Sequence, residues 1–515
     1  MIELILFLAG LAISYLSKES LWECLFQAIV LGSAIAIIFS LYSTLLLNKI
    51  DRVIVATALL ATAFPALYKR KKLFIKLNLE DLALLSLTIA LVFICHSLPF
   101  MLKMWFLGKR DALNHLMMLN SIFSTGRYGG LYAAYPLGLH SLAYLTGLPP
   151  VEAISRVTVL FYTFMFLSVY YLVYSKSGSH YLSCLTTVFT AVSPLLFKMI
   201  VNDYWSLIAG FTLLNFFLAE WSFNVPSIIY ASALILVYPH LALWALITSI
   251  ALAAWNKNLK PLFSLFTAAL ISAPWWVKQL KAWQAYIPQA YREFKMVKPG
   301  FPHPYAIALA IAALLALIIA RDELVKLAST LLTPLIVLLP TLYYLESYHW
   351  YYRFHIYLWL PLTILASKAV WESLSRKAVV KVVGLTLALT VFSLSILALT
   401  PMYKEKSSPS LYLYEYELSV NKSQVFYLAK WFSSNCPGKA AAQGSMPDLK
   451  AVAEWVSQER GRSVFTPRKP WIPLSDASLK ARDYVISLEW MNYRVRGFNK
   501  IYSDTFLVVW AKTKS

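Results

Sequence analysis

Up to about Thr400 the chain is a succession of apolar runs, each closed by charged residues or by Pro and Gly. A membrane-crossing helix needs roughly 20 apolar residues. Runs of that order occupy 2–16, 21–47, 51–68, 80–106, 151–174, 181–199, 204–222, 226–240, 241–256, 261–277, 305–320, 326–344, 354–372 and 377–400. Several are short, and 226–256 reads equally well as one element bent about Tyr238-Pro239-His240. The opening run has no basic n-region and no A-x-A-like site before the next run, so it reads as a first span. The pattern therefore predicts an all-α polytopic membrane domain of about 12–14 transmembrane helices.

Beyond Thr400 the pattern changes. Helical spacing appears at 423–433 (Val425, Leu428, Ala429, Phe432) and at 449–458 (Leu449, Val452, Val456). Runs rich in Val, Ile, Tyr and Phe at 483–488 and 505–511 predict strands, and Gly438, Gly444, Gly461 and Pro470 mark turns. The chain divides into N-terminal transmembrane helices over 1–78, a transmembrane domain over 79–400 with long loops at 107–150 and 278–304, and a small α/β domain over 401–515.

Charge sets an expected orientation. Lys69, Arg70, Lys71 and Lys72 form the densest short basic cluster, which the positive-inside rule keeps cytoplasmic. The links at 175–180, 256–260, 321–326 and 372–377 then fall inside. Both long loops and the C-terminal domain fall outside, in an extracytoplasmic position. Two features run against this scheme: the basic residues of 278–304, and the 48–52 link, whose Lys49 and Arg52 stand on the outer side.

Composition agrees with a multi-pass protein of the cell membrane. The chain is 59% hydrophobic and 14% charged, against about 25% charged in soluble domains. The net charge of +21 is accounted for by loop Lys and Arg meeting the bilayer, and no basic patch interleaved with aromatics points to nucleic acid. Three of the four cysteines, Cys24, Cys95 and Cys184, lie in apolar runs and one, Cys436, in the tail, which excludes a disulfide framework or a Cys-rich metal site. Asn421-Lys422-Ser423 is a glycosylation sequon. No P-loop, dinucleotide fingerprint, zinc spacing or repeat is present.

Polar groups that can do chemistry gather at span ends predicted to face outward. Asp111 directly follows a long apolar run, and on a helix over 111–124 Asp111 and His115 share one face at i and i+4. A carboxylate beside an imidazole handles protons. The competing reading makes Asp111 an N-cap and Lys109 and Arg110 interfacial anchors. Asp203 is a second outward carboxylate and equally a helix cap; with Asp111 it offers oxygen ligands for a divalent cation such as Mg2+ or Mn2+. In the segment 346–355, His349 and Arg353 are again i and i+4. Arg grips phosphate with two parallel N–H groups, and a charge entering an apolar helix is expensive enough to imply a use. An interfacial belt explains the surrounding Tyr and Trp. His140 and His240 face the same compartment, and a lone His there is commonly structural.

These segments together resemble the membrane GT-C glycosyltransferase superfamily, which has archaeal and bacterial members. The resemblance rests on an acidic residue after an early span with a nearby His (Asp111, His115), then Tyr135-Pro-x-Gly-x-His140. Ser193-Pro194 followed by Asp203, Tyr238-Pro239-His240, Arg353-Phe-His-Ile-Tyr-Leu-Trp-Leu-Pro-Leu362 and the tail ending Ile501-Tyr502-Ser503-Asp504 complete it. It spans about residue 105 to the end, and order and topology carry it more than any one motif. It implies a GT-C-like fold and transfer of a sugar from a polyprenyl (dolichyl) phosphate donor to a lipid, glycan or protein acceptor at the outer face. Asp111 matches the catalytic base, with His115 beside it. Arg353, His349, Tyr135 and His240 are the candidates for donor phosphate and substrate. Two departures stand out: three spans precede the one that leads into the 107–150 loop, and the Trp-Trp-Asp motif of oligosaccharyltransferases is absent, which favours transfer of a single sugar. The rival readings are a transporter or flippase of a lipid-linked or anionic substrate, and a non-catalytic scaffold.

Overall fold

The computed structural model describes residues 2–18, 20–68, 78–97, 115, 118, 119, 122, 123, 126, 127, 138–201, 204–293, 304–320, 322–344, 356–375, 378–407, 410–413, 416–442, 452, 453, 455–457, 464, 465, 482–488, 498–503 and 507–513. It is a mostly helical protein with a small mixed sheet at its C-terminal end. Among the described residues five helices are long and apolar enough to cross a membrane: Leu21–Leu47, Leu79–His96, Glu152–Ser177, Pro239–Asn256 and Val380–Met402. Ile2–Ser17, Arg52–Ala66, Trp205–Ala219 and Val225–Val237 are shorter apolar helices.

The N-terminal part contains α1 (Ile2–Ser17), α2 (Leu21–Leu47), α3 (Arg52–Ala61) and α4 (Phe64–Tyr68). The expected span at 51–68 is thus interrupted before Pro65, whose ring disfavours a continuous helix. The first two helices form a tight hairpin. A Cβ on Gly10 would collide with the Ala28 carbonyl oxygen, and one on Gly32 with the Leu6 carbonyl oxygen, so only glycine admits this approach. Helix α5 (Leu79–Val92) starts at an Asn78 cap, whose Oδ1 accepts from the Asp81 amide at 2.7 Å, and runs into one π-turn, Phe93–Ser97. That turn carries His96, whose Nε2 donates to the Ala191 carbonyl at 3.0 Å.

Next come α6 (Gly138–Leu145), α7 (Pro150–Ser177), α8 (His180–Ala191), α9 (Pro194–Val201) and α10 (Trp205–Ala219). Pro194, which lacks an N–H, divides the expected 181–199 run in two; Ala191 then ends α8 with a carbonyl that His96 satisfies. Helices α11 (Val225–Val237) and α12 (Pro239–Asn256) meet at Tyr238, which has helical geometry in neither (φ −153°, ψ 86°), so 226–256 is two helices. The break follows from Pro239 at the first helical position of α12. Helix α13 (Lys260–Glu293) runs well past its expected end at residue 277, and α14 (Pro304–Ile319), α15 (Glu323–Tyr344), α16 (Trp359–Leu374) and α17 (Ala378–Ser407) follow.

One end of the bundle collects the charged links. Lys18 Nζ meets Glu220 Oε1 at 2.6 Å, Lys176 Nζ donates to the Ala219 carbonyl at 3.2 Å, and Ser264 Oγ donates to the Ser222 carbonyl at 2.7 Å. Nearby, Lys368 Nζ lies 2.5 Å from Asp322 and 2.7 Å from Glu372.

The C-terminal sheet has the order β4-β3-β5-β7-β6, formed by β3 (Ala440–Ala442), β4 (Val464–Phe465), β5 (Tyr484–Leu488), β6 (Phe498–Ser503) and β7 (Leu507–Lys512). Strand β3 runs parallel to β4 and β5, whereas β7 runs antiparallel to β5 and β6. A hairpin of β1 (Ser410–Leu413) and β2 (Tyr416–Asn421) precedes it. Helix α18 (Lys422–Asn435) buries Val425, Leu428, Ala429 and Phe432, the stripe its spacing predicted, and Phe432 packs edge-on against Tyr484 of the sheet. None of the four cysteines is in a disulfide.

Candidate functional site

The site is organised around the first half of α10. His115, from the first long loop, lies flat on Trp205 at the start of α10, with ring centroids 4.9 Å apart and planes 23° apart. His115 Nδ1 and His140 Nε2 are 2.9 Å apart. One ring must donate and the other accept, so this contact holds one proton between the two imidazoles. Both rings and the indole are buried, at 2%, 0% and 1% exposure. A pair of imidazoles 25 residues apart in sequence is thus held away from water and in hydrogen-bond register.

Two glycines explain how the segments come so close. A Cβ on Gly138, at the start of α6, would fall 2.8 Å from Val237 Cα, next to the Tyr238 break. A Cβ on Gly210 of α10 would fall 2.9 Å from Tyr238 Cβ and 3.0 Å from Leu241 Cδ1. The glycine of the Tyr-Pro-x-Gly-x-His motif therefore lets α6, and His140 on it, lie flush against the Tyr238-Pro239-His240 corner. Tyr238 and His240 have ring centroids 5.5 Å apart, and His240 is half-buried. From the last motif, Tyr357 meets Phe211 of α10 at 5.4 Å and Trp244 of α12 at 5.1 Å, both edge-on, while Trp359 meets Phe211 at 5.2 Å. Such aromatic pairs contribute about 0.5–1.5 kcal/mol each beyond burial.

Of the residues singled out in sequence, His115 and His140 are brought together and His240 stands at the corner packed against the same helices. Asp111, Tyr135, Asp203, His349 and Arg353 lie outside the described residues. Among the described residues no group of three or more His, Cys, Asp or Glu side chains assembles to hold a metal ion. The two carboxylates offered for a cation, Asp111 and Asp203, are not among them. Sequence reasoning missed Trp205, Tyr357, Gly138 and Gly210. Trp205, two residues after Asp203, and Tyr357, four after Arg353, sit inside motifs already marked, so motif proximity was the available signal.

At the opposite end of the bundle the groups are of another kind. Glu220 Oε1 accepts from Gln27 Nε2 at 2.9 Å and from the Tyr171 hydroxyl at 2.8 Å, besides pairing with Lys18. The Tyr230 hydroxyl donates to Gln27 Oε1 at 3.2 Å. This network ties α1, α2, α7, α10 and α11 together and is saturated by its own members.

The fold and this arrangement define a polytopic α-helical membrane protein with a histidine- and aromatic-lined site at one end of its bundle. No protein-family model matches the chain, and no curated protein matches it in sequence. Among solved structures, ArnT from Cupriavidus metallidurans in the apo state is similar over 84% of this chain and 97% of that chain, at 12% identity and a TM-score of 0.44.

Proposed function

We propose that the chain is a membrane glycosyltransferase that moves a single sugar from a polyprenyl-phosphate donor to an acceptor hydroxyl at the outer face of the membrane. The observation that supports this is convergence. Described residues of the first-loop, Tyr-Pro-His and last-span motifs, far apart in the chain, pack on α10 and its partner α12 at one end of the bundle. The ion pairs of Glu220 and Lys368 lie at the other end.

In this reading Asp111 takes the proton from the acceptor hydroxyl as its oxygen attacks the anomeric carbon. The bond from that carbon to the phosphate oxygen breaks, its electron pair leaves with polyprenyl phosphate, and the sugar inverts. Arg353 and His349 balance the charge on the departing phosphate, with Tyr135 and His240 contacting donor or substrate. The His115–His140 pair offers a buried proton acceptor, and His115 follows Asp111 by four residues in the sequence. The sugar is a hexose or pentose, and the acceptor a lipid, glycan or protein.

The test is sugar transfer by purified, lipid-reconstituted protein given a panel of polyprenyl-phosphate sugars, with Asp111→Asn beside wild type. Transfer that disappears in a folded Asp111→Asn variant is the expected result. An Asn variant as active as wild type removes Asp111 from the role of base. Failure of every donor with folded protein and a suitable acceptor, together with vectorial movement of lipid-linked substrate, replaces the transferase with the transporter.

A further inference from the structure

The 48–52 turn between α2 and α3 carries basic residues where charge-based topology does not want them, and its geometry gives them another task. The turn is rigid by its own contacts. Ser43 Oγ donates to the Lys49 carbonyl at 3.0 Å and accepts from the Asp51 amide at 2.9 Å, while Asp51 Oδ1 caps α3 through the amides of Val53 and Ile54. From this base it reaches the first long loop at two points.

The first contact is the Ile50 amide, which donates to the Gly126 carbonyl at 2.8 Å; Gly126 in turn donates to the Ile122 carbonyl at 2.6 Å. Gly126 has φ +67°, a left-handed conformation, and comes after His115, Met118, Leu119, Ile122 and Phe123, each of which has helical geometry. The second contact is Arg52, whose Nε donates to the Tyr144 carbonyl at 2.9 Å. That carbonyl belongs to the last turn of α6, the helix carrying His140, where carbonyls lack helical partners and a cation is favoured by the helix dipole. The guanidinium also lies 4.1 Å from the Tyr144 ring centre and 5.6 Å from that of Phe123, and those two rings meet edge-on at 5.2 Å. Arg52 thus bridges the far ends of both segments whose histidines face each other.

We propose that Arg52 is a positioning residue, which holds the His115–His140 pair in register by joining the ends of the two helical segments that carry it. The N-terminal helices, which precede the first loop as an addition, then serve as a brace for the site, anchored at the other end by Gln27 and Lys18 on Glu220. Lysine replaces this arginine only in part, because a point charge keeps the attraction to the helix end but supplies neither the planar stack nor the Nε–H. The kinetic consequence rests on the transferase reading; the mechanical one does not.

The experiment compares wild type, Arg52→Ala and Arg52→Lys in full-length protein by hydrogen–deuterium exchange and by transfer kinetics. Peptides covering 115–126 and 138–147 are expected to exchange at least tenfold faster in Arg52→Ala, with peptides of α7 and α10 unchanged and Arg52→Lys intermediate. The kcat for transfer is expected to fall at least tenfold with KM within about threefold, again with partial rescue in Arg52→Lys. Unchanged exchange in the two loop peptides overturns the bridge. Faster loop exchange at unchanged kcat overturns the link to the site, and a uniform rise across all peptides reduces Arg52 to general stability. If wild type transfers no sugar from any donor, the transferase reading has failed, and the exchange result alone still decides the bridge.

Discussion

The Glu220 network offers the sharpest test of how the N-terminal helices are held. Its Oε1 is the shared acceptor of Lys18 at 2.6 Å, Tyr171 at 2.8 Å and Gln27 at 2.9 Å, and its side chain is 3% exposed. Substituting Glu220→Leu strands an ammonium and two buried donors. Breaking a buried pair on one side costs about 3–5 kcal/mol. The Lys18 side chain is 19% exposed and can turn its head toward water, which places the expected loss at the low end, about 3 kcal/mol. Glu220→Gln keeps an acceptor oxygen and loses only the charge assistance, a loss of about 1–2 kcal/mol. The double variant Lys18→Met/Glu220→Leu removes both charges. Gln27 Nε2 still donates to the Tyr171 hydroxyl, 2.5 Å away, but the Tyr171 O–H loses its acceptor. The double variant strands no charge and should therefore lie about 1–2 kcal/mol below wild type, above Glu220→Leu. Reversible unfolding by SDS titration in mixed micelles measures all four proteins. A Glu220→Leu variant within 1 kcal/mol of wild type, about the worth of one ordinary hydrogen bond, refutes the reasoning, as does a double variant no more stable than Glu220→Leu.

Two further outcomes are expected. Gly32→Val drives a side chain into the Leu6 backbone and should destabilise the protein by about 2 kcal/mol or more, whereas Gly178→Ala, with open space around it and φ +66°, should cost only about 1 kcal/mol of left-handed strain. The same titration separates them, and equal losses would contradict the steric account. His140→Phe keeps the bulk but leaves His115 Nδ1 without its 2.9 Å partner. Transfer should fall about 10–100-fold, the kinetic equivalent of losing a buried hydrogen bond; unchanged transfer would show that the pair has no part in proton handling.

Sequence pattern alone located most helices, because a membrane span needs both length and apolarity and so leaves an unmistakable run. It also placed the change of character after Thr400, and the apolar stripe of α18 with the strands β5 and β7. It did not show β3, β4 and β6: three alanines or a two-residue bridge carry no alternation, β6 is mostly exposed, and their strand character comes from pairing with neighbouring strands. The helix breaks at Pro194 and Pro239 were local, and Tyr238-Pro239-His240 was legible as a bend. The glycines were legible as residues but not as contacts. Gly138 and Gly210 matter because a backbone distant in sequence lies where their Cβ would be, and no local rule reports that. The same holds for charge. The sequence counted Lys49 and Arg52 as topological signals on the wrong side; only the tertiary structure gives Arg52 the Tyr144 carbonyl and ring as partners. Chemistry-bearing residue types are thus written in the chain. Which of them share a proton, a stack or a charge is decided by long-range packing, since a hydrogen bond depends on a separation of about 3 Å that sequence distance does not constrain.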